Sequence, residues 1–196
     1  MVLYIALIHY PVRNRNGDII VSAVTNLDLH DIARSAKTFG VKTFYVITPL
    51  QDQKVLINRL LDHWLNGIGG ELNPNRREAL RLIKLKDSFQ EVKNELNEYH
   101  HRSLKVIATT AKKGYPYINI SDMSQELLND TPYLLVFGTA WGLSEEIIDE
   151  SDYILEPILG TEEYNHLSVR AASAIIMYQL TQAENNINHK TTNSVI

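Results

Sequence analysis

The sequence predicts an α/β domain built on a mostly parallel sheet flanked by helices. Two observations carry that expectation. Short β-branched and aliphatic runs alternate along the chain with segments whose apolar residues recur every three or four positions, the order expected of a sheet wound with crossover helices. The last two apolar runs, 133–137 and Tyr153–Leu155, each open into a glycine-bearing loop. Ligands in parallel sheets bind outside the carboxyl ends of the strands, which is where those loops fall.

Each element has a local reason. Val2–Ile8 is a continuous apolar run and reads as a buried strand. A polar, turn-rich loop over 11–17 follows, then a short apolar piece at 19–21. Asn26 or Asp28 can cap a helix whose apolar face is Ile32, Ala33, Ala36 and Phe39, and Gly40 stops it. Residues 42–48 (KTFYVIT) form a second strand, ended by Pro49. Gln51–Leu65 is a helix with Val55, Leu56, Leu60 and Leu61 on one face. The Gly- and Asn-rich stretch 66–75 reads as a flexible connection and 76–80 as a helical turn. Strands at 82–85 and 104–108 bracket a helix over 88–99, and another helix occupies 121–128. The last helix, 167–182, carries Val169, Ala172, Ile175, Ile176 and Leu180. One domain over 1–183 is expected, and the tail 184–196, without an apolar period, is expected to be disordered.

Composition narrows the function. With 196 residues, 44% apolar and 21% charged, the chain has the make-up of an ordinary soluble domain. No apolar run approaches the ~20 residues needed to span a bilayer. The absence of cysteine excludes disulfides and thiolate metal sites, and together these features favour the cytoplasm. A formal charge of −4 argues against wholesale wrapping of nucleic acid but leaves room for local basic patches at Arg13 and Arg15 and around Arg76–Lys86. His100 and His101 are adjacent, so on a helix they diverge by about 100°, and no metal site is expected.

The first strand is not followed by G-x-G-x-x-G, and neither a phosphate-loop lysine motif nor G-x-S-x-G occurs. The glycines come late, in F-G-T-A-W-G-L (137–143) and I-L-E-P-I-L-G (154–160), and are followed by Y-N-H-L-S-V-R-A-A (164–172). These three segments, with N-L-D-L-H-D-I-A-R-S-A-K-T-F-G (26–40), resemble the SPOUT superfamily of RNA methyltransferases, in particular a bacterial branch with SpoU- and TrmD-like motifs. The resemblance implies a C-terminal deep trefoil knot, a homodimer, RNA (tRNA or rRNA) as acceptor, and S-adenosylmethionine (SAM) as cofactor. By that resemblance the cofactor would meet Phe137, Gly138, Thr139, Gly142 and Leu143 in the first loop. Leu155, Pro157, Ile158 and Gly160 would meet it in the second, and Tyr164, Asn165, His166 and Leu167 in the third.

Departures from the pattern leave the acceptor atom open between a ribose 2′-oxygen and a base nitrogen. SpoU proteins carry a Glu where this chain has Thr-Ala-Trp, and Ala140 cannot replace a carboxylate. The Asn165–His166 pair is similar instead to the TrmD branch, which methylates a guanine ring nitrogen. Four residues are candidates for the chemistry. Arg34 would position phosphate, because a guanidinium with pKa above ~12 is a poor base. Asn26 either caps its helix or acts, Asp28 would accept a proton, and His9 ends the first strand with a pKa suited to proton transfer. Against a methyltransferase stand a non-catalytic module that binds cofactor or RNA and an α/β enzyme acting on a small metabolite.

Overall fold

The structure, a computed structural model, describes residues 1–162 and 164–193, with 183–193 described as backbone only. A six-stranded sheet runs β5-β4-β1-β7-β6-β8, and every pairing in it is parallel. Its strands are β1 (Val2–Ile8), β4 (Phe44–Ile47), β5 (Ile83–Lys86), β6 (Lys105–Thr109), β7 (Pro132–Gly138) and β8 (Tyr153–Leu155). A small antiparallel ribbon, β2 (Val12–Arg13) with β3 (Ile19–Ile20), leaves the end of β1.

Alternate residues of β1 enter two cores, as a sheet covered on both faces requires. Leu3, Ile5 and Leu7 pack against α1 (Asn26–Thr38), α2 (Gln51–Leu65), α4 (Pro74–Leu80), α6 (Ile120–Glu126) and α8 (Val169–Asn193). Tyr4, Ala6 and Ile8 pack against α5 (Phe89–His100) and α7 (Glu145–Asp149).

Several local expectations need correction. Thr25, not Asn26 or Asp28, caps α1: its hydroxyl accepts from the Asp28 backbone N–H at 3.2 Å. Gly40, at φ +73°, closes that helix as expected. On α2 the buried residue is Ile57, with Leu60, Leu61 and Trp64 beside it, while Val55 and Leu56 are exposed. The stretch read as a flexible connection holds α3 (Ile68–Leu72), whose Gly69 and Gly70 are buried, and α4 then starts behind an Asn73 cap. The short α7, capped by Ser144, falls where only a loop was expected. Ser168 caps α8, which begins at Val169 and runs as helical backbone to Asn193, through much of the tail expected to be disordered. Residues 194–196 lie outside the described residues.

Strand order reverses between β1 and β7: β4 and β5 lie on one side, β6 and β8 on the other. Such a switch point parts the loops at the carboxyl ends of the two strands and opens a crevice there.

Candidate functional site

A cavity of about 460 Å³ occupies that crevice, within the ~300–1,000 Å³ of small-molecule sites. Its floor is the turn after β7. Residues arriving after β3 (Ser22, Ala23), at and beyond the end of β6 (Thr109, Thr110, Ala111) and after β8 (Glu156, Pro157, Ile158) close three sides, and the start of α8 covers the fourth.

The β7 turn is fixed by its backbone. Thr139 N–H donates to the Ile8 carbonyl at 3.3 Å and Gly142 N–H to the Thr139 carbonyl at 2.9 Å. Arg13 and the turn exchange two more bonds: Trp141 N–H to the Arg13 carbonyl and Arg13 N–H to the Gly142 carbonyl, both 3.0 Å. The chain folds back so closely that a Cβ on Gly138 would stand 2.5 Å from the Leu143 nitrogen. Gly142 holds φ +99°, which suits glycine, and Ala140 holds φ +51°, unusual for a residue with a Cβ.

Behind the turn lies a polar brace. His9 is fully buried, with its Nδ1 2.9 Å from the Ser22 hydroxyl, and Ser22 Oγ also hydrogen-bonds Thr139 Oγ1. Thr139 Oγ1 donates to the Ile8 carbonyl at 2.9 Å, and Gln53 donates to the Ser22 carbonyl at 3.1 Å. Burial pushes the His9 imidazole down to about 4, outweighing the opposing pull of the Asp28 charge. At neutral pH His9 is therefore an uncharged strut. Asp28 lines the cavity and is held by Thr25, whose hydroxyl donates to it at 2.7 Å, and by Arg170 at 3.7 Å. Glu156 is the other carboxylate in the lining, but it accepts from the Ile120 backbone N–H at 2.7 Å and so anchors α6.

Most residues expected at a cofactor site meet here: Phe137, Gly138, Thr139 and Gly142, Pro157 and Ile158, and Asn165, His166 and Leu167. Asn165 also donates to the Ala111 carbonyl at 2.9 Å, fastening the third segment to the loop after β6. The remaining expected residues fall outside the lining. Leu143 and Leu155 are buried in the two cores. Gly160 serves its own loop, where a Cβ would sit 2.6 Å from the Tyr164 carbonyl oxygen. Tyr164 is exposed, edge-on to His166 with ring centroids 5.5 Å apart.

Of the four candidates for chemistry, Asp28 alone lines the cavity. His9 stands behind it, Asn26 is exposed at the first position of α1, and Arg34 is exposed about 12 Å further along that helix. Sequence reasoning did not name Ser22, Ala23 or 109–111. The strand-end rule that singled out the later loops applies equally to the ends of the earlier strands and could have found them.

A parallel sheet with a walled cavity at its switch point is the layout in which α/β proteins bind small molecules at their strand ends. Residues 2–182 match the SAM-dependent RNA methyltransferase family, and the chain belongs to that family. It is 44% identical over 179 residues to a tRNA (guanine-N(1)-)-methyltransferase of Nitratidesulfovibrio vulgaris, a match covering 91% of this chain and 41% of that protein. It is 37% identical over 179 residues to an uncharacterized protein of Aquifex aeolicus, covering 91% of this chain and 87% of that one. The chain thus spans well under half the length of the tRNA methyltransferase relatives it matches. Among solved structures it is similar to a probable methylase family protein from Haemophilus influenzae (TM-score 0.63, 19% identity, 96% of this chain and 68% of that one). It is also similar to the SpoU methyltransferase AviRb from Streptomyces viridochromogenes, in complex with the cofactor AdoMet (TM-score 0.54, 17% identity, 93% and 57%). At these identities the likeness is one of fold, and the fold is that of the SPOUT methyltransferases. No described helix is long and apolar enough to cross a membrane, and no group of three metal-ligating side chains gathers among the described residues.

Proposed function

We propose that this protein methylates RNA, with SAM held in the cavity at the strand switch point and a knotted homodimer as the working unit. The observation that carries the reading is the β7 turn: main chain brought within van der Waals reach of itself beside a cavity of cofactor size, in a chain of this family. The lining suits SAM. Phe137, Ile158, Leu167 and Val169 offer apolar walls to a heterocycle, while Thr139, Asn165 and the backbone of 138–142 offer polar partners. When bound, SAM supplies an activated methyl group on a sulfonium.

The protein's own part is to hold the acceptor in line and receive its proton. Asp28 is placed for the second task, since it lines the cavity and, unlike Glu156, accepts no backbone hydrogen bond among the described residues. A carboxylate there favours an acceptor that must lose a proton, such as a base nitrogen. The names of the tRNA (guanine-N(1)-)-methyltransferase relatives point the same way. Arg34, exposed on α1, is assigned to acceptor phosphate, and Asn26 to the same edge. The homodimer is supported by Ile175 and Tyr178, exposed on α8, which packs against α1. The knot is supported by the segments 155–162 and 164–168, the second tied to the β6 loop through Asn165. An RNA acceptor places the work in the cytoplasm.

A cofactor-binding module without turnover is the second reading, favoured by Ala140 standing where SpoU proteins carry a carboxylate. Transfer of labelled methyl from SAM to total RNA separates the two. The expected result is transfer by the wild type, with kcat lowered about 100-fold or more in Asp28→Asn and SAM affinity retained. SAM binding without transfer to any RNA would leave the module.

A further inference from the structure

We propose that a nucleotide flanking the methyl acceptor lies in the groove between the β2–β3 ribbon and the loop after β6, its base against Trp141 and its phosphate toward Lys112 and Arg15. This rests on the RNA reading above and deepens it. The groove, about 560 Å³, adjoins the cofactor cavity, because Trp141 lines both. A group bound on one side of that indole is therefore a neighbour of a group bound on the other.

Trp141 is 57% exposed, although a side chain of its size gains most from burial. Its backbone is not free to tuck the ring away, since Trp141 N–H is bonded to Arg13 and the turn is clamped on both sides. An indole held out to solvent in this way is a stacking platform for a planar base. Beyond it the groove is cationic. The Arg13 side chain is only 9% exposed; it pairs through Nη1 with Glu145, and its buried Nε has no hydrogen-bond partner among the described residues. Tyr115 donates to the same Glu145 at 3.1 Å, which fixes the pair.

With Arg13 and Glu145 offsetting each other, Lys112 and Arg15 remain, and neither makes an ion pair among the described residues. Burial and the Arg13 charge lower the Lys112 ammonium from its ordinary value, the mark of a cation lacking a counter-ion. Glu146 also faces the groove, so its net charge is about one positive unit. That suits one phosphate of an unpaired nucleotide rather than a duplex backbone, whose bases would in any case be hidden from Trp141. The groove wall does not drift from the cavity, because Asn165 holds the Ala111 carbonyl next to Lys112.

The test uses the full chain, a pool of unmodified tRNA transcripts and the double variant Arg15→Ala/Lys112→Ala. Both side chains project from loops and hold no structural partner among the described residues, so folding is checked by unchanged SAM affinity. The expected result is tRNA affinity lowered at least about tenfold and a salt dependence shallower by about one to two units of log–log slope. Wild-type tRNA binding that the double variant matches in affinity and slope would overturn the groove while leaving the RNA reading intact. A wild type that binds SAM but neither binds nor methylates the transcripts would overturn both.

Discussion

The turn after β7 and the tight connection through α3 between α2 and α4 are both rich in glycine, and in both an added Cβ would strike backbone. At Gly138 it would stand 2.5 Å from the Leu143 nitrogen, and at Gly70 2.2 Å from the Trp64 carbonyl oxygen. The first close approach leaves a cavity beside it. At the second, the space at Gly69 and Gly70 is taken by His63, Trp64 and Arg77, with the Arg76 guanidinium 4.7 Å over the Trp64 ring. Glycine in a sequence therefore marks that something comes near, and only the fold says whether the neighbour is ligand or protein.

That contrast can be broken experimentally. Gly138→Val is expected to have the largest effect, destabilising the fold by about 2–4 kcal/mol and abolishing SAM binding measured by calorimetry on the folded fraction. Gly70→Val should cost a similar ~2–4 kcal/mol in denaturant melts yet leave the SAM affinity of the folded protein unchanged. If Gly70→Val also abolished SAM binding, the two turns would be one functional unit and the distinction would fail.

A smaller effect comes from pH, acting on the first turn through His9. Its folded pKa of about 4 lies below the ordinary 6.5. The unfolded chain therefore takes up the proton first as pH falls, and stability present above pH 6.5 is lost as pH drops toward 4. The full loss is roughly 3 kcal/mol. His9→Gln should flatten this part of the stability profile, and an unaltered profile in chemical melts between pH 4 and 7 would refute the assignment.

Much of the fold was legible because its causes are local. The strand Val2–Ile8 and the helix Gln51–Leu65 keep their expected bounds, and Gly40 ends α1 at positive φ. The short helix Glu145–Asp149 was not, although Ser144 followed by two glutamates is a helix-start signal; the expectation of a glycine-bearing loop after 133–137 passed over it. At the site, the glycine turn and Asn165 were readable, whereas Leu143 and Leu155 were not distinguishable from pocket walls. An apolar residue beside a turn can face either the cavity or the core, and sheet packing sends these two to the core. The emphasis on Arg34 over Asp28 came from the motif resemblance, while proximity to the cavity belongs to Asp28. Ser22 and the 109–111 loop reach the site from strands far away in sequence, a juxtaposition set by the order β1-β7-β6.

The most direct test of the central claim is amide hydrogen exchange followed by mass spectrometry, with and without saturating SAM. Protection confined to 137–143, 156–158 and 165–169, with none at 67–80, is the predicted outcome. Protection at 67–80, or a bound cofactor that leaves 137–143 exchanging as before, would contradict it.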